Sequence, residues 1–341
     1  MNMIKHRIVI AGCGNMSKAW IAYAINREDC IITALVDVRL EAAAAMKTTY
    51  KLDCPVFTDI TEAIRATDAN LVFDITISES HYAVSTAAFA EGCHVFGEKP
   101  MAASMEEARA MIAAAEAADR TYAIMQNRRY TKEMMAFRDL VQSGGIGEAG
   151  FITADFFLAL HNGKFRETMD NPLLLDMAIH TFDQSRFITG KDPVSVYCHE
   201  FNPAGAFYKG NAAAICLFEY EDGSVFSYRG YYNAEGAATS WESSWRVVGS
   251  EGTAIWDGRT APYAEKAAAE SDPAAFVYQH ERLVADLTWT GKERHDGCLD
   301  DMFAALNEGR APSTVCTDNI KSVAMAYGAV QSAKEGRKIM L

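Results

Sequence analysis

Residues 175–184, LDMAIHTFDQ, set Asp176, His180 and Asp183 among Leu, Met, Ala, Ile and Phe. Steps of four and then three residues bring all three side chains to one face of a helix. Charged groups seldom enter such a setting without partners. The segment therefore reads either as a proton-handling site or as a capped, solvated polar stripe on a packed helix. An imidazole, with a reference pKa of about 6.5, suits proton transfer near neutral pH.

Two other stretches carry chemistry. IVIAGCGNMSKAW places Gly12 and Gly14, with Asn15 and Met16 behind them, at the end of a first strand. There the backbone must turn tightly and let a pyrophosphate approach a helix N-terminus. The third position of G-x-G-x-x-G is Ser17, small enough for close helix–strand packing. Read alone, the turn also fits a plain βα connection. Asp37 ends the second strand, where a carboxylate accepts from adenosine ribose hydroxyls and repels a 2′-phosphate, favouring NAD. Arg39, two residues on, offsets that repulsion and leaves NADP open. Asp37 also suits the N-cap of a helix over 40–50, a role compatible with the first. Finally, Glu98, Lys99 and Pro100 follow the strand-like CHVF.

The elements that must position these groups divide at about residue 125. Up to there, short apolar runs (RIVIAG, IITALVDV, NLVFDIT, CHVFGE, TYAIMQN) alternate with helical stretches over 15–27, 40–50, 80–91 and 104–118. That alternation implies a doubly wound parallel sheet of Rossmann type over residues 1–125. Ligands bind such sheets beyond the C-terminal strand ends, which puts Glu98 and Lys99 at the cofactor crevice. From residue 150 the runs are longer and partly alternating, with YEDGS and GSEGT as hairpin turns. Residues 126–341 are expected to form an α+β domain with a large open, mainly antiparallel sheet. Its main helix spans 172–189, opened by Asn171-Pro172, and further helices lie near 296–309 and 318–335. Residues 258–275 read as the least structured stretch.

Composition narrows the class. A formal net charge of −13 argues against nucleic acid and anionic membranes as partners, since both demand a cationic surface. No run of about 18 apolar residues offers a membrane span, and the N-terminus shows no signal-peptide pattern. The eight cysteines are scattered without a C-x-x-C, so they read as reduced thiols of a cytoplasmic protein, with no metal site expected.

AGCGNMS, LVDV, AEGCHVFGEKPMA and LLLDMAIHTFDQSRFITG, in this order, resemble the successive motifs of the Gfo/Idh/MocA oxidoreductases. The resemblance covers about residues 6–200. It implies that Lys99, Asp176 and His180 meet at the nicotinamide and are the catalytic residues. It further implies that Thr76 and Ser78, in the loop that reads Thr76-Ile77-Ser78 where the family has TPN, join the glycine turn, Asp37, Arg39, Glu98 and Lys99 in holding the cofactor. His81 corresponds to a common family histidine and is expected to serve the start of its helix. Ala178 stands where a glycine is usual.

On this reading His180 takes the hydroxyl proton of a secondary alcohol and Lys99 stabilises the developing alkoxide. Asp176 holds a substrate hydroxyl, and Asp183 has a supporting role. Cationic and amide groups of 161–172, together with Tyr130, Trp241 and Trp245, are candidate walls for a sugar ring. The implied activity is hydride transfer between NAD and a secondary hydroxyl of a sugar, glycoside or inositol. A redox-neutral glycosidase with bound NAD and a catalytically silent sugar sensor are the alternatives. A homodimer or homotetramer through the C-terminal sheet is expected, because one face of that sheet lacks a cover.

Overall fold

The apolar runs of the first third pair side by side in parallel. The structure, a computed structural model, describes residues 5–161, 164–272 and 274–341. The chain divides into two compact units: residues up to Asn127 with His295–Ile320, and Arg128–Arg294 with Lys321–Leu341. The first break falls two residues from the expected boundary, but 295–320 joins the first unit instead of the second.

In the first unit the elements are β1 (His6–Ala11), α1 (Ser17–Ile25), β2 (Cys30–Val36), α2 (Leu40–Tyr50), β3 (Val56–Phe57), α3 (Ile60–Thr67), β4 (Leu71–Asp74), α4 (Ser78–Ala90), β5 (His94–Gly97), α5 (Met105–Ala117) and β6 (Tyr122–Ile124). The six strands form one parallel sheet in the order β3-β2-β1-β4-β5-β6. The order reverses between β1 and β4, the switch point at which such sheets bind ligands. Ile8, Val9, Ile10, Val72, Phe73 and Phe96 are fully buried, as strands covered on both faces require. Sequence reading passed over α3, although Asp59 accepts from the Glu62 backbone N–H at 2.8 Å in a capping arrangement. The late helix α8 (Arg294–Glu308) explains the return of 295–320. Its Phe303 ring meets Phe73 and Phe96 at 6.0 and 5.2 Å, and the Thr314 carbonyl beyond it accepts from Ile124.

The second unit holds α6 (Lys132–Gln142), β7 (Ala149–Phe157), α7 (Ile179–Thr189), β8 (Pro193–Phe201), β9 (Ala213–Tyr220), β10 (Val225–Tyr231), β11 (Ser244–Gly249), β12 (Gly252–Trp256), β13 (Tyr263–Ala267), β14 (His280–Val284) and β15 (Ile339–Met340), with much of α9 (Cys316–Glu335). Its nine-stranded sheet runs β14-β13-β12-β11-β7-β10-β9-β8-β15; β7 and β10 are parallel and the other pairings antiparallel. One face is core: Phe182 of α7 meets Phe218 and Tyr228 at 4.8 and 5.2 Å. On the strands' other side Phe151, Tyr197, Ile215 and Leu217 are 44–47% exposed.

Three local expectations change. Residues 172–189 are not one regular helix: Leu173–Ala178 is a π-helix that passes into α7. Asn171 does not cap it by its side chain but donates to Glu200 at 2.6 Å. The stretch 258–275 contains β13, whose Ala, Glu and Lys residues give little strand signal.

Candidate functional site

The glycine turn is built from two glycines with different reasons to be there. Gly12 has φ +90°, and a Cβ on it would lie 2.4 Å from the Ile75 carbonyl oxygen. The β1–α1 turn thus lies against the segment that follows β4, and no side chain fits. At Gly14 a Cβ would meet nothing within 4 Å. That open flank, at the N-terminal end of α1 with Gly14, Asn15 and Met16 exposed, is the room a pyrophosphate needs. Ser17, fully buried, closes the turn from within by donating to the Gly14 carbonyl at 2.7 Å.

Asp37 ties this turn to the end of β2. Its Oδ2 accepts from the Cys13 N–H and its Oδ1 from the Arg39 N–H, both at 2.9 Å. The N-cap of α2 is Arg39, without a side-chain cap, so Asp37 does not cap that helix. A carboxylate offers about four lone-pair sites; two are used, and the rest suit ribose hydroxyls. The Arg39 Nε lies 3.9 Å from Asp37 on a largely exposed side chain.

Beyond β4 a buried network fixes the neighbouring loop. Asp74 accepts from Thr76 Oγ1 at 2.5 Å and Ser85 Oγ at 2.9 Å, with His81 Nδ1 at 2.9 Å. Burial works against the His81 imidazolium, but the Asp74 carboxylate outweighs it and raises the histidine pKa. Burial likewise pushes the Asp74 carboxyl up, and His81 overcomes this to hold it low. His81, in the first turn of α4, thus has the expected structural place. Thr76 is pinned beside the glycine turn, whereas Ser78 Oγ donates to Glu79 at 3.1 Å.

Glu98 is occupied by its own unit. It accepts from Trp20 Nε1 at 2.9 Å and from the Lys99 N–H at 3.2 Å, which braces the loop carrying Lys99. The Lys99–Pro100 peptide is cis.

Asp176 and His180 lie in the second unit, one turn apart, each 6% exposed. The π-helical stretch ends between them, and such widened turns are frequent at functional sites. Arg166 clamps Asp176 with Nε at 2.5 Å and Nη2 at 3.3 Å, and the Tyr232 hydroxyl donates to the same carboxylate at 3.4 Å. Burial and Asp176 together raise the Tyr232 pKa, keeping that phenol a donor.

Asp183 has a different fate. Arg129 grips it with two 2.7 Å hydrogen bonds and Ser322 donates at 2.8 Å, so it braces α7. Arg166 belongs to the 161–172 segment singled out for its cationic groups; Asn162 and Gly163 of that segment lie outside the described residues. Trp245 is 1% exposed and stacks on Phe226 in the core, and Tyr130 is also buried, so neither is a ring platform in this fold. Trp241 is 41% exposed, with the Arg128 guanidinium over its ring. Sequence reading missed Arg128 and Tyr232, because nothing in their local pattern marks them.

Among the described residues no group of three or more His, Cys, Asp or Glu is placed to hold a metal ion. Nor is any helix there long and apolar enough to cross a membrane. All eight cysteines are free and buried.

Comparison with known proteins agrees with the fold. Residues 6–126 match a family model described as the GFO_IDH_MocA oxidoreductase family, NAD-binding Rossmann fold, and residues 134–255 match the GFO/IDH/MocA C-terminal domain. An inositol 2-dehydrogenase of Rhizobium meliloti is 25% identical over 98% of this chain and 99% of its own. A 1,5-anhydro-D-fructose reductase of Ensifer adhaerens is 23% identical over 96% of each chain. An oxidoreductase from Agrobacterium radiobacter, solved with NAD+, L-tartaric acid and magnesium, shares the fold at a TM-score of 0.85 and 20% identity, over 98% of both chains.

Proposed function

This chain belongs to the Gfo/Idh/MocA oxidoreductase family, whose first domain is an NAD-binding Rossmann fold, and we propose that it is an NAD-dependent dehydrogenase of a ring secondary hydroxyl in a sugar, glycoside or inositol. The observation that carries this reading is the Asp176–His180 pair: one turn apart, nearly excluded from water, with the carboxylate oriented by Arg166 and Tyr232.

Bound NAD would supply the hydride acceptor for this chemistry. Gly14 and the N-terminal end of α1 make room for its pyrophosphate, and the free lone pairs of Asp37 suit its ribose. His180 takes the hydroxyl proton, Asp176 holds a substrate hydroxyl, and Lys99 donates to the reacting oxygen. Lys99→Ala and His180→Ala are expected to lower turnover by about 100-fold or more, with little change in NAD affinity. Near-normal turnover in both variants would remove this assignment. Asp37→Ala is expected to weaken NAD binding and narrow the preference over NADP; tighter NADP binding by the unaltered protein would reverse that inference.

The exposed strand face with Phe151, Tyr197, Ile215 and Leu217 supports a homodimer or homotetramer through this sheet. Light scattering should give a multiple of the chain mass, and a stable monomer at micromolar concentration would contradict it. The free cysteines support a cytoplasmic setting; disulfides in protein isolated without reductant would argue otherwise.

A further inference from the structure

Arg128 is half-buried, and uncharged groups engage its guanidinium. Its Nη1 donates to the Trp241 carbonyl, its Nη2 lies 3.9 Å from Met177 Sδ, and its charge sits 5.8 Å from the centre of the Trp241 ring. Burial pulls its pKa below the ordinary arginine value, while Glu242 and Asp176 nearby hold it up. Yet among the described residues no carboxylate comes within 4.0 Å of it.

The nearby acids already have cations. Glu242 is paired with Arg294 at 3.1 Å and accepts from Gln184 at 3.0 Å. Asp176 is clamped by Arg166, and Asp183 by Arg129. Arg128 thus lies near Asp176, but it is Arg166 that clamps that carboxylate. Arg128 is half-buried, and a guanidinium with no carboxylate in reach gains a counterion when the ligand brings the anion.

We propose that the substrate of this site carries a carboxylate bound by Arg128: a sugar acid such as a hexuronate, or a glycoside of one. This rests on the dehydrogenase reading above. A guanidinium has five N–H donors, and the contacts to Trp241 and Met177 engage two of them. The rest leave room for the planar fork that matches a carboxylate. One guanidinium fork pairs with one carboxylate through two parallel hydrogen bonds. The exposed indole of Trp241, beside the guanidinium, offers an apolar surface for ring carbons.

The test titrates glucuronate, galacturonate and mannuronate, each against its neutral uronamide, into the NAD-loaded full-length protein. At least one acid is expected to bind about tenfold or more tightly than its amide, the scale of a charge-assisted hydrogen bond, and to weaken as salt rises. Arg128→Met should erase that preference by weakening the acid far more than the amide, and Arg128→Lys should restore part of it. Because the acid–amide comparison is made on the unaltered protein, it stands even where a variant fails to fold. Equal binding of acids and amides, or no binding of any acid, overturns the proposal. NADH formed from neutral polyols without preference for acids would remove the Arg128 site and keep the dehydrogenase. Acid selectivity lost in Arg128→Met, with no NADH from any sugar, would do the reverse.

Discussion

The glycine turn of the first unit and the Asp176 cluster of the second, the two proposed ligand sites, are built by opposite means. At the turn the backbone does the work: Gly12 is forced by a close approach to Ile75, and Gly14 leaves a flank where even a Cβ meets nothing. At Asp176 the backbone supplies only a widened helical turn, and side chains from separate segments, Arg166 and Tyr232, hold the carboxylate. A site made by main chain tolerates little substitution but needs few partners. A site made by charges depends on which residues arrive from elsewhere.

Asp183 and Asp176 give the sharpest way to break this comparison, because they share a helical segment but not a role. Removing Asp183 takes a doubly bonded carboxylate from the buried Arg129, so Asp183→Ala is expected to cost about 3–5 kcal/mol in denaturant unfolding. Asp176→Asn keeps an oxygen acceptor for Arg166, whose side chain is 29% exposed, and should cost less than Asp183→Ala while cutting turnover sharply. Equal destabilisation by both would erase the distinction.

The two glycines separate in the same manner. Gly12→Ala combines a positive φ with a clash and should destabilise by about 2–3 kcal/mol. Gly14→Ala should leave stability within about 0.5 kcal/mol but weaken NAD binding, because the new methyl enters the space assigned to the pyrophosphate. Unchanged NAD affinity in Gly14→Ala would show that the open flank is not used.

A smaller effect lies at Glu200, which holds Asn171 at the entry to the π-helix. Burial raises its carboxyl to about 7, against the hydrogen bonds from Asn171 and Asn211 that lower it. The fold therefore favours the protonated form. That stabilisation is complete below the unfolded value near 4.5 and is lost as pH rises through about 7. Glu200→Gln should unfold like the unaltered protein at pH 4 and gain roughly 1–3 kcal/mol over it at pH 8. A gain independent of pH would contradict the assignment.

How far the sequence discloses such features follows from what fixes them. Gly12, Gly14 and Asp37 are legible because a tight turn and a strand end constrain the residues locally. The helix carrying Asp176 and His180 is legible as a helix. Its π turn is not, because Leu173, Leu174, Met177 and Ala178 are all buried there and their order would serve an ordinary helix as well. The separate fates of Asp176 and Asp183 are set by Arg166 and Arg129, and local pattern cannot assign those partners. The segment β14 is exposed along its whole length, so no hydrophobic alternation marks it. For α8, amphipathicity announces that one face is covered but not that Phe73 and Phe96 of the first unit cover it.

The central claim is net hydride transfer to NAD, and isotope tracing tests it most directly. A cyclic polyol or sugar acid that the protein turns over is supplied with deuterium on its oxidised carbon, in the presence of NAD. The label is expected on C4 of the nicotinamide, in NADH released in proportion to the ketone formed. Recovery of the label on the original sugar carbon, with a glycoside cleaved and no NADH accumulating, would contradict net dehydrogenation and identify a redox-neutral reaction instead.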